Sequence, residues 1–417
     1  MKFLQQLLQN LTLQLHKQVL SKIYINLYYK NQSHWLLFCI FVSLFRINRN
    51  NMLKRFSLLF IVILMVNACS SSEGGEQVIS DSFDRGAMLV NIADNIIIPA
   101  YEDFNAKMNS LKSAGDSFVA NPNQTNLDSF RDAWLTAYKT WQHVEMFNIG
   151  KAEEVQFSFY MNIYPLTVAD VEQNIANGSY DLNSVNNHDA QGFPALDYLL
   201  YGVEDSDPKI LDKYTTATNN DNYKKYLTDV LNQMTTLTNT VVSDFKAQRD
   251  SFVTSTQNTA TSVVNKLIND YIFYYEKGLR ANKFGIPAGV FSNTTLPNKV
   301  EGFYKNDVSK ELSLEALTAV KNLFEGKSYN GNSSGLSFKN YLIQLEREDI
   351  ASAITNQLAT ATSEINKLDN SFTVQVNSDN TAMTKSYDEL QKVVVYFKVD
   401  MLQTFNINVD YVDADGD

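Results

Sequence analysis

Long stretches of this chain repeat apolar residues at three- and four-residue steps, and few residues interrupt the repeat. Only 7 prolines and 16 glycines occur among 417 residues. Such spacing is typical of amphipathic α-helices, which proline and glycine tend to end. We therefore expect an all-α fold. The predicted helices cover 83–111, 125–146 (beginning at Thr125 or Asn126), 223–252, 259–280, 312–324, 338–368 and 381–405.

Three local features qualify this pattern. Pro99 lies inside the first predicted helix and should kink it or divide it in two. Residues 372–376 alternate and are rich in β-formers, which predicts a short strand or an extended loop. Residues 393–395 are also β-formers, but their place in a helical pattern favours a buried helix face.

The length of the chain after its leader favours two helical bundles rather than one. About 340 residues exceed what one hydrophobic core usually serves. Two packed bundles that divide near residue 252 would fit the helix pattern. We predict that 81–252 forms the first bundle and 253–417 the second.

The N-terminal part has the composition of an export leader. The first 68 residues contain no Asp or Glu but eight Lys and Arg residues. The apolar run at 56–66 is shorter than the roughly 20 residues of a membrane span, but it suits a signal peptide. It leads to Val66-Asn67-Ala68-Cys69, which resembles the lipobox of a bacterial lipoprotein. The alternative is that 35–45 and 56–66 are membrane anchors.

These features predict a protein of the cell envelope that is held to the membrane by a lipid at Cys69. The predicted segments are an upstream extension at 1–51, a signal peptide at 52–68 and a flexible tether at 69–80. Cys39 would lie in the extension, so the mature fold would have neither a disulfide nor a catalytic thiolate.

The remaining body is strongly acidic. Residues 69–417 carry all 46 Asp and Glu residues against 27 Lys and Arg residues, a net charge of −19. Nucleic-acid phosphates would be repelled by this charge, which argues against nucleic acid as a partner.

One aromatic helix leads to a glutamate. Trp134, Tyr138, Trp141 and Glu145 share a helix face. The aromatic residues could form a core stripe or part of a site. An ionised carboxylate at the end of an apolar stripe needs a partner, and the candidates are Arg280, Lys283 or a cation shared with Asp197.

The segment at 191–200, QGFPALDYLL, places Pro194 three residues before Asp197. Pro194 suits the first turn of a short helix that Asp197 would begin. Asp197 could then be a helix-start carboxylate. Alternatively, Asp197 and Glu145 together could bind a hard cation or polarise a water molecule.

Other polar groups favour ordinary roles. His143 and His188 are expected at the surface, and two separated histidines do not make a three-ligand zinc site. Asp413, Asp415 and Asp417 are similar to the opening of a calcium loop, but the later ligands of such a loop are missing. A solvated acidic tail is the favoured interpretation.

Several segments resemble the imelysin family. They are 95–104 with Pro99 and Tyr101, the aromatic helix to Glu145, the 191–200 segment, a loop at 283–290, and the chain end at 411–417. The 191–200 segment is similar to the family motif Gly-x-His-x-x-Glu, with Pro194 in place of His and Asp197 in place of Glu. The resemblance implies two helical bundles, an exported or lipid-anchored protein and a link to iron-regulated uptake. The family is named after a peptidase, and Pro194 argues against that activity here.

The preferred hypothesis is a non-catalytic lipoprotein that binds a ligand linked to iron or haem acquisition, in a cleft between the bundles. The alternatives are a metal-dependent hydrolase of the imelysin type, or a surface scaffold that binds protein or glycan. A metal, either iron or another divalent cation, would be bound by Glu145 and Asp197. The candidate ligand-binding residues are Tyr101, Trp141, Glu145, Pro194, Asp197, Tyr198, Lys283 and Pro287.

Overall fold

The computed structural model describes residues 82–409 and is all-α, as predicted. No strand forms within these residues, and an isolated β-bridge joins Lys327 and Ser334. The described helices comprise two packed bundles. Short helices connect or flank the long ones described below, at Lys151–Glu154, Phe157–Met161, Val168–Asn177, Gly192–Asp197, Asp207–Thr215, Ile286–Ala288, Phe338–Gln344, Phe372–Ser378 and Leu402–Phe405.

The first helical run continues past Pro99 without dividing. Helix Arg85–Asn91 passes through a π-helical turn at Ile92–Ile97 into helix Ile98–Ala120. Proline has no N–H to donate to the carbonyl four residues earlier. That carbonyl, of Asn95, instead accepts the backbone N–H of Tyr329 at 2.8 Å. The missing bond is therefore replaced by a tertiary contact.

Three long helices form the first bundle: Ile98–Ala120, Gln124–Trp141 and Asn220–Thr254. Asn123 begins the second of these, because its side chain accepts the backbone N–H of Asn126. Their apolar faces meet in an aromatic core that includes the fully buried Phe104. Each such side chain stabilises the fold by roughly 1.5–3 kcal/mol on burial.

The second bundle is built from helices in the C-terminal half. They are Val263–Phe273 with its π-helical continuation Tyr274–Gly285, Ser309–Glu325, Glu348–Asn366, and Asn380–Val395 with its π-helical continuation Tyr396–Met401. Val393 and Val394 are buried, as predicted, although Val395 is exposed.

Three details of the helix prediction were wrong. The aromatic helix ends at Trp141, so Glu145 lies in the turns after it. The helix predicted at 338–368 breaks before Glu348, where Glu346 adopts a positive φ of 60°. Phe372–Ser378 is a helix and neither the short strand nor the extended loop that was predicted, because the Ser371 side chain caps its start and outweighs the local β-propensity.

Several predictions fall outside the described residues. They concern the extension at 1–51, the signal peptide at 52–68, the tether with Cys69, and the acidic end at 411–417. Among the described helices, none combines the length and the apolar character needed to cross a membrane. The division of the chain near residue 252 stays a prediction.

Candidate functional site

A buried lysine lies where the two bundles meet. The Lys283 ammonium is 2.6 Å from Glu301 Oε2, 2.7 Å from Gln142 Oε1 and 3.5 Å from Glu145 Oε2. Only 1% of the Lys283 side chain is exposed. Burial lowers the pKa of Lys283, but the charges and hydrogen bonds of Glu145 and Glu301 outweigh burial, and the net pKa is raised. Lys283 is therefore charged.

Two carboxylates face this one ammonium. Glu301 Oε1 accepts N–H groups from Gln142 at 3.0 Å and from Asn162 at 2.8 Å. Glu145 accepts an N–H from Asn162 at 3.0 Å and the hydroxyl of Tyr274 at 2.9 Å. Because two carboxylates share one lysine, these three ionic groups carry one excess negative charge.

We call this set the interbundle network; its members are Tyr138, Gln142, Glu145, Asn162, Tyr274, Lys283 and Glu301. Tyr138 completes it by donating its hydroxyl to Asn162 Oδ1 at 2.6 Å.

Different local structures bring the network together. Gln142 and Glu145 lie in the turns that follow the end of the aromatic helix, while Tyr274 and Lys283 lie on one π-helical segment. Glu301 precedes Gly302, whose positive φ of 68° favours glycine. Among the ionic members, Glu145 is the most exposed, at 13% of its side chain against 2% for Glu301.

Asp197 lies at the end of helix Gly192–Asp197, so the prediction that it begins a helix was wrong. Its two carboxylate oxygens accept the backbone N–H groups of Tyr304 and Lys305, each at 2.9 Å. Burial raises the pKa of Asp197 to about 7, although these two hydrogen bonds lower it. Asp197 therefore ties the 191–200 segment to the loop that follows Glu301.

Pro194 and its neighbours pack against the network. Pro194 is buried in the first turn of its helix. The ring of Phe193 stacks on that of Tyr138 with 4.4 Å between centroids. Gly192 has a φ of 76°, and a Cβ atom there would lie 2.3 Å from the carbonyl oxygen of Met161. Only glycine fits this position without strain.

The remaining predicted residues are distributed around the network. The Tyr101 hydroxyl donates to the carbonyl of Phe147, and Trp141 packs in the aromatic core. Tyr198 donates to Glu172, and the carbonyl of Pro287 accepts the N–H of Leu296.

The structure decides two of the predictions, the ionic partner of Glu145 and the position of His143. Lys283 lies 3.5 Å from Glu145 and is its ionic partner, whereas Arg280 contacts Glu276, Tyr387 and Gln391. His143 is mostly buried and lies 2.9 Å from Glu315, not at the open surface, because the turns after Trp141 bring it there.

Two questions about the predicted site stay open. Glu145 and Asp197 have no hydrogen-bond partner in common, and no group of three or more His, Cys, Asp or Glu side chains suited to a metal occurs in residues 82–409. The cation shared by these two carboxylates stays a hypothesis. Tyr101, Asp197, Tyr198 and Lys283 are each buried, so an opening between the bundles also stays a prediction.

Four network members were missed from the sequence: Gln142, Asn162, Tyr274 and Glu301. Gln142 adjoins a singled-out tryptophan, and Tyr274 lies on a predicted helix. Asn162 and Glu301 lie in connecting segments where no periodic signal marks them.

Known proteins are similar to this chain in sequence. The sequence model of the imelysin family (Peptidase_M75) matches residues 97–395. Iron-regulated protein A of Synechococcus elongatus is 23% identical over 279 residues, which span 64% of this chain and 71% of that protein.

Two crystal structures have a similar fold. An imelysin-like protein from Psychrobacter arcticum 273-4 has a TM-score of 0.62 at 19% identity, covering 79% of this chain and 97% of that one. An iron-regulated protein A precursor from Parabacteroides distasonis has a TM-score of 0.62 at 18% identity, covering 77% and 95%. With the family match spanning most of its length, this chain belongs to the imelysin family.

Proposed function

We propose that this protein is an exported, non-catalytic binding protein that takes up a ligand connected with iron or haem between its two helical bundles. On this proposal, a lipid at Cys69 attaches it to a membrane of the cell envelope. The observation that carries the proposal is the excess negative charge of the interbundle network, in which Lys283 faces both Glu145 and Glu301.

Energetics favour a binding role for this network. Transferring an ion pair from water into the protein interior costs desolvation free energy. Apolar residues of similar volume often make the fold equally stable, so stability alone does not require the ion pair. Buried charges with shifted pKa values occur preferentially at functional sites. An unbalanced negative charge attracts a cation, and Glu145 is the ionic member closest to solvent. The proposed cation would contact Glu145, with Asp197 as the second candidate carboxylate.

The names of relatives support the connection with iron and export. The Synechococcus protein is called iron-regulated, and the Parabacteroides protein is called an iron-regulated protein A precursor. A precursor is a chain that is processed, which agrees with the leader predicted at 1–68.

Thermal unfolding of the chelator-treated protein tests this function. Iron, zinc, calcium and haem are added separately, and a ligand at about 100 times its dissociation constant should stabilise the native state by roughly 2.7 kcal/mol. Glu145→Gln should remove the shift given by the true ligand. Glu154→Gln is the matched control, because Glu154 pairs with Lys151 at an exposed position.

Two results would contradict the proposal. One is the absence of a shift with all four additions. The other is a shift of equal size in wild type, Glu145→Gln and Asp197→Ala, which would place the ligand elsewhere. Turnover of a peptide mixture by wild type that is lost in Glu145→Gln would indicate a hydrolase instead.

A further inference from the structure

A cationic cluster in the second bundle is separate from the interbundle network. The carboxylate of Glu276 lies 3.5 Å from Arg280 and 3.3 Å from Lys398. Glu276 and Arg280 lie on the helical run 263–285, and Lys398 lies on the neighbouring run 380–401. These three ionic groups carry one excess positive charge. Because Arg280 is fully buried, this charge requires a nearby anion to offset its desolvation.

The last described residues of the chain are held at one end of the same helices. The side-chain N–H of Asn269 donates to the carbonyl of Asn408 at 3.0 Å. The side-chain N–H of Asn258 donates to the carbonyl of Phe405 at 2.8 Å. Asn269 lies on the run 263–285, the run that also carries Arg280. These bonds fix the position from which the chain continues into residues 410–417.

The acidic residues that follow Asn408 are within reach of the cationic cluster. Asn269 and Arg280 are eleven residues apart on one helical run, which corresponds to roughly 17 Å at the α-helical rise per residue. The five residues from Asn408 to Asp413 span up to about 18 Å when extended. Asp413 can therefore reach Arg280, and two further aspartates follow it in the sequence.

The order of apolar and charged residues is the same along the helices and along this part of the chain. Phe273 lies on the first run between its asparagine and its arginine and is 41% exposed, and Val399 on the second run is 48% exposed. In the sequence, Tyr411 and Val412 come before the three alternating aspartates. Apolar residues would therefore meet apolar residues where the aspartates meet the cations.

We propose that residues 411–417 bind along the groove between the helical runs 263–285 and 380–401, where their aspartates neutralise Arg280 and Lys398. Charge complementarity selects this occupant, because the cluster has an excess positive charge and the segment carries three carboxylates within reach. Pairing with a carboxylate offsets the desolvation of a buried cation. The acidic segment is then an integral part of the second bundle and not a solvated tail. This inference is independent of the ligand proposed between the bundles.

Carbodiimide cross-linking of the purified full-length protein, followed by peptide mass spectrometry, tests the proposal. This reagent joins a carboxylate to an amine without a spacer, so the two groups must be in contact. Lys398 should be joined to one of the three aspartates. Lys385 and Lys392 are matched controls, because they lie on the same helical run and are 57% and 56% exposed, against 18% for Lys398. A solvated segment would react with these exposed lysines at least as often as with Lys398.

Three cross-linking results would overturn the proposal. One is a set of links from the aspartates mainly to Lys385 or Lys392. Another is the absence of a link to Lys398 in a sample where the exposed Lys139–Glu311 pair is joined. The third is a link to Lys398 that occurs only in covalent dimers, which would place the acidic segment on a second copy of the chain.

Urea unfolding gives a second measurement. The triple variant Asp413→Asn/Asp415→Asn/Asp417→Asn should unfold at a lower urea concentration than wild type, because the cations lose their carboxylate partners. In a Lys398→Met background, the same three substitutions should shift the midpoint less, because one of those cations is already absent. No shift in the wild-type background, or an equal shift in both backgrounds, would contradict the proposal.

Discussion

The buried ion pair of Lys283 and Glu301 gives a quantitative test of the interbundle network. Lys283→Met removes the ammonium but keeps an apolar chain of similar volume, so little cavity forms. Glu301 would then stay 2% exposed, with only the amide groups of Gln142 and Asn162 to stabilise its charge. Removing one partner of a buried pair costs about 3–5 kcal/mol. We expect the free energy of unfolding to fall by that amount.

The reciprocal change should cost less. In Glu301→Gln, Lys283 retains Gln142 Oε1 and the carboxylate of Glu145 at 3.5 Å. Loss of a hydrogen bond to a charged group costs about 1.5–3 kcal/mol. The double variant Lys283→Met/Glu301→Gln contains neither charge of the pair. Its decrease in the free energy of unfolding should therefore be about 2 kcal/mol smaller than the sum of the two single decreases, as is typical of residues in contact.

Urea unfolding followed by circular dichroism at neutral pH measures these losses. Lys139→Met is the matched control, because Lys139 is 33% exposed and pairs with Glu311 and Glu315, which are 45% and 30% exposed. That change should cost no more than about 1 kcal/mol, and salt should reduce the cost. A loss below about 1 kcal/mol in Lys283→Met, or strictly additive losses in the double variant, would refute the network argument.

Two further predictions concern the 191–200 segment. The folded protein raises the pKa of Asp197 to about 7 from 3.8, so the stability contributed by its proton is complete below about pH 4 and is lost as pH rises to 7. Urea unfolding across pH 4–8 measures the free energy of unfolding of wild type minus that of Asp197→Asn. This difference should decrease between pH 4 and about pH 7 and stay level above pH 7. A difference that is constant across the whole range would contradict this prediction. Gly192→Ala should lower the free energy of unfolding by about 3 kcal/mol or more, through backbone strain and the clash with Met161. Gly150 has a similar φ of 59°, but a Cβ atom there would meet open space. Gly150→Ala should therefore lower the free energy of unfolding by only about 1–2 kcal/mol. Equal losses in thermal unfolding would show that the clash is unimportant.

The sequence predicted the fold well because helices depend on local spacing. The helix predicted at 223–252 is Asn220–Thr254, and the one predicted at 312–324 is Ser309–Glu325. The errors occurred where side chains cap or end a helix, as at Ser371 and after Trp141. Pro99 did not divide its helix, because the Asn95 carbonyl that proline leaves without an intrahelical donor accepts the N–H of Tyr329, which is distant in sequence.

The site was harder to predict because its contacts are far apart in sequence. Glu145 requires a partner, and the sequence offered Lys283 as one candidate. The contact between Gln142 and Glu301 joins residues 159 positions apart. Neither has a spacing that signals this contact. Tyr198 was selected from the family resemblance, but its partner Glu172 lies on a helix that the sequence analysis did not predict.

The 191–200 segment connects the interbundle network with the hydrogen-bonded cluster around Glu172. Pro194 offers no ligand atom, yet the next polar residues hold both clusters in place. Asp197 fixes the loop after Glu301, and Tyr198 reaches Glu172. Because these two residues are consecutive on a buried turn, a shift that repositions one must move the other. The segment can therefore have a structural role in the imelysin fold with Pro194, which has no ligand atom, at the position where the family motif has histidine.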